Sequence, residues 1–183
     1  EEAVVKAAHS IRNNGITSIG ITASFSPLNS SCEDRVAEII TRECPEMRIT
    51  CSHSLGRIGL LERENATLLN AALLDLAANT TDAFRTALDE VGITAPLYIT
   101  LNDGTVTSAK LARKFPVYCF ASGPTNSMRG AAFLSGIDNA IVCDVGGTTA
   151  DIGCLINGFP REANNVVEVG GVRTLFRMPD LIS

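Results

Sequence analysis

The sequence predicts an α/β protein, because helix-like and strand-like segments alternate along most of its length. Apolar residues recur at helical spacing in residues 2–13, 31–44 and 62–91. Short β-branched runs at residues 16–23, 47–51 and 96–101 predict strands between and after these helices. From about residue 140, strand-like runs follow one another through tight turns, so a different arrangement begins there.

Composition places the chain among ordinary globular proteins. It has 183 residues, of which 45% are hydrophobic and 19% charged, enough for one domain and part of a second. The net charge of −5 lacks the positive field that nucleic acids and anionic membranes attract. Since no run of 18 apolar residues occurs, we expect a cytoplasmic protein with neither a nucleic-acid nor a membrane partner.

The cysteines and histidines do not predict a zinc site. The six cysteines include no Cys-x-x-Cys pair, and His9 and His53 are the only histidines. Reduced thiols in a cytoplasmic protein are the expected state. We interpret His53 as a packed or surface residue and the charged run Glu62-Arg63-Glu64 as a solvated helix start. A substrate contact is the alternative for each.

The helices have recognisable ends. Gly15 ends the first helix, Ser31 begins the second and Pro45 closes it. The apolar stripe of the long 62–91 segment is predicted to face the core, and polar residues 79–82 leave open whether this segment is one helix or two.

The second half contains two turns of interest. Asn102, Asp103 and Gly104 form a turn directly after the strand at 96–101. Helical turns at 108–113 and a strand at 117–121 follow, and Ser122 and Gly123 then lead into a helix at 125–135. We place a domain boundary near residue 138, giving domains 1–137 and 138–183, with strands at 140–145, 150–156 and 163–169.

One motif carries chemistry: Asp-Val-Gly-Gly-Thr-Thr-Ala-Asp at residues 144–151. Gly146 and Gly147 permit positive φ and close backbone approach, so that their N–H groups cradle a phosphate. Thr148 and Thr149 add hydroxyl donors. Asp144 and Asp151 would repel a bare phosphate, so they imply Mg²⁺, held mostly through water. The alternative is a plain hairpin whose glycines serve only the turn.

The motif is neither a Walker loop nor a dinucleotide fingerprint. It resembles the phosphate motif of the actin-like ATPase superfamily. Three upstream segments resemble the hydantoinase/oxoprolinase family of that superfamily: Arg-Glu-x-x-Thr-x-x-Asn-Ala at 63–71, an Asn-Asp-Gly turn after a strand at 97–105, and Ser-Gly-Pro-x-x-Ser-x-x-Gly-Ala-Ala at 122–132.

The resemblance implies a partial ribonuclease-H/actin-like fold, with the end of a first lobe and the opening hairpin of a second. It implies ATP and Mg²⁺ as cofactors and a small cyclic amide as substrate, such as a hydantoin or 5-oxoproline. A second hydantoinase-type subunit or domain is the implied partner. ATP would phosphorylate the amide carbonyl oxygen, and water would then attack the ring carbon.

Residue roles follow by position. Asp144 and Asp151 are expected to be the catalytic, Mg²⁺-binding carboxylates, and residues 146–149 to bind phosphate. We assign substrate contacts to the Asn102-Asp103 turn and to Ser122-Gly123 at a helix start. The earlier Asp-x-Gly-Gly-Thr of the family is absent, so the chain is expected to be an internal fragment that is inactive alone.

Three other functions remain open from the sequence. A nucleotide switch of the actin or Hsp70 kind would need no small substrate, and Glu64, Thr67 and Asn70 argue against it. A sugar kinase would need a sugar-binding segment, and none is evident. The segment is also interpretable as an inert structural module.

Overall fold

The computed structural model describes residues 1–163, 166–175 and 177–182. Contacts divide the chain into two compact units, Glu1–Leu76 with Glu168–Phe176, and Ala77–Val167 with Arg177–Ser183. Helices and strands alternate through the first half, and the later part is dominated by strands. The predicted α/β class is therefore confirmed.

The first unit is built around a parallel pair of strands. Helix α1 (Glu2–Asn13), strand β1 (Ser18–Ile21), helix α2 (Ser31–Glu43) and strand β2 (Arg48–Cys51) follow in order, and β1 pairs with β2. A parallel pair needs a crossover, which α2 supplies. Ala8, Ile21, Ile40, Cys44 and Met47 form its buried core.

The ends of the two helices follow from local chemistry. Asn14 Nδ2 donates to the carbonyl of Ser10 at 2.8 Å, and Gly15 then leaves the helix with φ of +75°. At the start of α2, Asn29 Oδ1 accepts the Ser31 N–H at 3.1 Å and satisfies one orphan donor.

Helix α3 (Leu60–Glu90) is one continuous helix, which settles the question left open at residues 79–82. Its buried face differs from the predicted apolar stripe. Leu61, Leu68, Leu76 and Phe84 are exposed, whereas the buried positions include Arg63, Ala66, Thr67 and Asn70. The face was mispredicted because polar side chains with hydrogen-bond partners occupy the interior.

The second unit contains the remaining helices. Strand β3 (Tyr98–Thr100) pairs antiparallel with β4 (Val106–Ser108), and α4 (Ala109–Lys114) follows. The strand predicted at 117–121 is wrong, because Pro116–Cys119 forms a 3₁₀ turn. Pro116 lacks an N–H for a strand ladder and suits the first position of a helical turn. Helix α5 (Ser122–Ser135) comes next.

Strand β5 (Ala140–Val145) and strand β6 (Ala150–Ile156) form the predicted antiparallel hairpin. Asn157 and Gly158 have φ of +52° and +76°, the left-handed pair that a tight hairpin requires, and β7 (Phe159–Pro160) returns along β6. Met128 and Ala132 of α5 pack against Leu155 to form the core beneath this hairpin.

Short strands complete the chain. Strand β8 (Val167–Val169) pairs with β9 (Val172–Thr174), and β10 (Leu181–Ile182) pairs antiparallel with β6. The strand predicted at 163–169 agrees with β8 at its end, while residues 164–165 lie outside the described residues. No helix within the described ranges is long and apolar enough to cross a membrane.

Candidate functional site

The β5–β6 hairpin places the two motif carboxylates opposite each other. Asp144 and Asp151 are register partners, and the Gly146 N–H donates to the Thr149 carbonyl at 2.9 Å to close the turn. Directly opposed residues project their side chains from the same face of an antiparallel pair. Local alternation in both strands therefore brings together two carboxylates that are seven residues apart.

The surroundings of this pair are open. Both aspartates are half-buried, while the turn residues 146–149 are exposed. In the part of the chain that the structure describes, neither carboxylate has a hydrogen-bond or ion-pair partner. Two opposed anions without a cation repel each other, so their chemistry fits a hydrated Mg²⁺ ion, which prefers carboxylate oxygens.

The motif glycines do not use the positive φ that their lack of a side chain permits. Neither Gly146 nor Gly147 has φ in the left-handed region. A Cβ at Gly147 would meet nothing within 4 Å, so the fold itself does not demand glycine there. The open backbone at Gly147 fits the close approach of a ligand.

The predicted substrate residues Asn102 and Asp103 hold their own turn together. Asn102 is buried, with its N–H donated to the carbonyl of Tyr118 at 2.7 Å. Asp103 Oδ1 accepts from the N–H and the hydroxyl of Thr105 at 2.9 and 2.6 Å. A substrate role for these residues stays a prediction.

Ser122 and Gly123 begin α5, after Ala121 with φ of +56°. Thr125 Oγ1 lies 2.8 Å from the Ser122 carbonyl and 3.4 Å from the Leu101 carbonyl. The helix start and the turn that contains Asn102 are thus neighbours. Two of the segments predicted to contact substrate are brought together in this way.

The first unit contains a buried polar cluster that was not predicted from the sequence. Glu33 has no exposed surface, and its Oε1 accepts from the Ala23 N–H at 2.9 Å and the Ser52 hydroxyl at 2.5 Å. Its Oε2 accepts from the N–H of His53 at 3.0 Å and contacts His53 Nδ1 at 2.8 Å. Burial alone would raise the pKa of Glu33, but hydrogen bonds from Ser52, His53 and Ser26 lower it to about 2.

Arg63 forms the other side of this cluster and is 1% exposed. Its Nε donates to Ser52 Oγ at 2.9 Å, and its terminal nitrogens donate to the carbonyls of Ala23 at 2.7 Å and Arg57 at 3.1 Å. The sequence interpretation of Arg63 as part of a solvated helix start is wrong. The missed signal was the polar spacing of Arg63, Thr67 and Asn70 on one helical face.

His53 lies at the edge of the cluster, with 24% of its side chain exposed. Its Nε2 is 3.6 Å from Asp34 Oδ1, so the ring lies between two carboxylates of α2. One carboxylate oxygen of Glu33, Sγ of Cys51 and a ring nitrogen of His53 lie within 4.8 Å of one another. The absence of closely spaced zinc ligands in the sequence does not exclude this group, because its three residues come together only in the fold.

Comparison with known proteins decides the family. Residues 63–182 match the hydantoinase/oxoprolinase family, and residues 1–44 match the hydantoinase/oxoprolinase N-terminal region. The chain belongs to the hydantoinase/oxoprolinase family. The resemblance to this family that the upstream motifs carry is thereby confirmed.

Curated relatives are more than three times as long as this chain. An uncharacterised protein of Methanocaldococcus jannaschii is 30% identical over 93% of the chain and 26% of its own length. The caprolactamase alpha subunit of Pseudomonas jessenii is 24% identical over 83% of the chain and 22% of its own length. The acetophenone carboxylase gamma subunit of Aromatoleum aromaticum is 28% identical over 88% of the chain and 23% of its own length. The chain spans about a quarter of these relatives.

Solved structures share the fold. The ATP-dependent caprolactamase of Pseudomonas jessenii matches 99% of the chain and 27% of its own, with a TM-score of 0.83 and 22% identity. Nucleotide-free acetone carboxylase matches 100% of the chain and 26% of its own, with a TM-score of 0.77 and 19% identity. At this identity the likeness concerns the fold alone.

Proposed function

We propose that this chain is the part of an ATP-dependent cyclic amidohydrolase that holds the phosphates of ATP. The carrying observation is the register pair Asp144 and Asp151, opposed across β5 and β6 without a cationic partner among the described residues. The exposed turn 146–149 begins one register pair further along the hairpin, after Val145 and Ala150. Opposed carboxylates beside a tight turn make structural sense when a divalent cation neutralises them.

Each residue of the motif has a role in this proposal. Asp144 and Asp151 hold Mg²⁺ through water molecules, and the N–H groups of Gly147 and Thr148 face the phosphate oxygens. The hydroxyls of Thr148 and Thr149 add donors. ATP supplies the phosphoryl group that turns an amide oxygen into a leaving group, and the protein positions the reactants and offsets charge.

The surrounding architecture is proposed to be of the ribonuclease-H/actin-like type. Residues 1–137 would belong to the first lobe and residues 138–183 would open the second. The change from alternating helices and strands to the β5–β6–β7 meander supports this boundary. A complete nucleotide site in such a fold needs hairpins from both lobes, so this chain would supply only one of them.

The substrate class follows from the family and from named relatives. Two relatives of known fold are described as ATP-dependent, one of them a caprolactamase. We therefore propose a cyclic amide such as a hydantoin, 5-oxoproline or a lactam as the substrate. Relatives named as alpha and gamma subunits support a second hydantoinase-type subunit as the partner.

The test uses the longer polypeptide that this segment is proposed to belong to, co-expressed with its neighbouring subunit. ATP hydrolysis is measured with hydantoin, 5-oxoproline and caprolactam, in the wild type and in Asp144→Asn and Asp151→Asn. We expect ring-dependent hydrolysis whose kcat falls at least tenfold in either variant. Wild-type kcat in both variants would overturn the role of the hairpin.

The same assay separates the alternative functions. ATP hydrolysis that ignores every ring compound would favour a nucleotide switch of the actin or Hsp70 kind. A phosphorylated sugar as product would favour a sugar kinase. Either outcome would overturn the amidohydrolase proposal while leaving the ATP-binding hairpin in place.

A further inference from the structure

We propose that Asp34 and His53 form a binding site for a divalent transition-metal ion, with Glu33 as the carboxylate that orients the imidazole. The site lies in the first unit, at the start of α2 and the end of β2. It is separate in sequence from the hairpin that we assign to ATP, and it does not depend on that assignment.

Glu33 fixes the orientation of the His53 ring. Glu33 Oε2 lies 2.8 Å from His53 Nδ1 and also accepts the His53 backbone N–H at 3.0 Å. Because Glu33 is a carboxylate without a proton to donate, the ring must carry its hydrogen on Nδ1. The lone pair of the neutral imidazole therefore lies on Nε2, on the opposite side of the ring from Glu33.

The distance between the two proposed ligand atoms suits a shared metal ion. Nε2 of His53 is 3.6 Å from Oδ1 of Asp34. A metal bound by nitrogen and oxygen at about 2.1 Å, with a tetrahedral angle, separates these ligands by roughly 3.4 Å. The distance between the two ligand atoms is therefore close to the one that a shared metal ion requires.

The two proposed ligands are accessible to an ion from solvent, and Glu33 holds the His53 ring in place. The side chains of His53 and Asp34 are 24% and 52% exposed, which leaves room for an ion with water in its remaining positions. Metal-binding histidines generally donate their other N–H to a carboxylate, which fixes the ring and raises its basicity. Glu33, itself held by the Ala23 N–H and the Ser52 hydroxyl, provides this support.

Glu33 is the orienting group and not a ligand. Both of its oxygens already accept hydrogen bonds, two on each atom. A metal on Glu33 and Cys51 would have to displace at least one of these donors, whereas a metal on Asp34 displaces none of them. Imidazole with carboxylate suits Zn²⁺ and Co²⁺.

The experiment is a Zn²⁺ titration of this chain in competition with a chromophoric chelator, followed by Co²⁺ absorption spectroscopy. We expect one equivalent to bind. His53→Ala should abolish binding, and Asp34→Asn should weaken it at least tenfold. His9→Ala is the matched control, since His9 is the only other histidine and lies on α1. It should bind as the wild type does.

Second variants keep the test decisive. Glu33→Gln should weaken binding by roughly 10- to 100-fold, as is usual for an orienting partner. Because Glu33 is buried, circular dichroism must confirm folding, and the exposed Asp34→Asn decides the question if Glu33→Gln is unfolded. Cys51→Ser should bind like the wild type and give no change in the thiolate-to-cobalt absorption region.

Three results would overturn the proposal. The first is no Zn²⁺ binding by the folded wild type at 1:1 stoichiometry. The second is equal affinity in wild type and His53→Ala. The third is loss of binding in Cys51→Ser with unchanged affinity in Asp34→Asn, which would move the ion onto Cys51 and Glu33.

Discussion

Nε of Arg63 donates a hydrogen bond to Oγ of Ser52 at 2.9 Å, and the Ser52 hydroxyl in turn donates a hydrogen bond to Glu33. The guanidinium and the carboxylate are therefore linked through one buried hydroxyl. Removing Arg63 takes the guanidinium donor away from this hydroxyl and from the carbonyl of Ala23. Buried groups that lose a charged partner are costly, so the arrangement fixes the junction of α2, α3 and the end of β2.

Arg63→Ala should lower the free energy of unfolding by about 3 kcal/mol or more. Arg63→Lys should recover only part of this loss. The compact ammonium group of lysine cannot donate to several carbonyls at once, as the planar guanidinium does. Urea denaturation measures both. Arg57→Ala is the control, since its backbone carbonyl remains and its side chain is exposed. Equal stability of Arg63→Ala and Arg57→Ala would contradict this account of the cluster.

Glu33 should make the fold sensitive to acid. Its pKa is lowered from 4.5 to about 2, so its contribution is complete above pH 4.5 and disappears as the pH falls towards 2. Melting temperatures from pH 7 to pH 2 should fall less steeply below pH 4.5 in Glu33→Gln than in the wild type. Glu38→Gln, exposed on the same helix, is the control. The same slope of melting temperature against pH in Glu33→Gln and in the wild type would contradict the lowered pKa of Glu33.

Gly104 should tolerate alanine less well than Gly92. Both have positive φ, of +81° and +74°, which costs an alanine about 1 kcal/mol. At Gly104 a Cβ would also lie 3.0 Å from Cγ of Arg129 and Cδ of Pro160, while at Gly92 it would meet nothing within 4 Å. Denaturant titration of the two variants compares them directly. A loss at Gly104 no larger than at Gly92 would show that the contacts relax freely.

The opposition of Asp144 and Asp151 predicts an unusual effect on stability. Without divalent cations, Asp151→Asn should raise the free energy of unfolding by about 0.2–1 kcal/mol, because a directly opposed like charge is removed. Chelated buffer and a thermal melt suffice to measure it. Asp138→Asn is a control outside the hairpin strands. A destabilised Asp151→Asn would mean that the carboxylate has a structural partner.

Local signals made the hairpins predictable. The strand-like runs that form β5 and β6 depend on neighbours in sequence, and both strands were predicted from sequence alone. The error at residues 117–121 is also local, because the residues after Pro116 are typical of strands while Pro116 itself favours the start of a helical turn.

The buried cluster was not predictable in the same way. Glu33, Ser52 and Arg63 come from three separate segments, and charged residues are rarely buried unless they are paired. Only their partners in space explain their burial. Whether Gly146 or Gly147 would have positive φ was likewise undecided by sequence, because a glycine permits that conformation without requiring it.

The central claim is that the Asp144–Asp151 hairpin holds the metal and phosphates of a nucleotide. The most direct measurement is the ¹H–¹⁵N spectrum of this chain with millimolar Mn²⁺-ATP, since half a nucleotide site should bind only weakly. The account predicts paramagnetic broadening of the amides of residues 146–149 that is lost when Asp144 and Asp151 are both changed to Asn. Broadening that spares these amides, or that persists in the double variant, would contradict it.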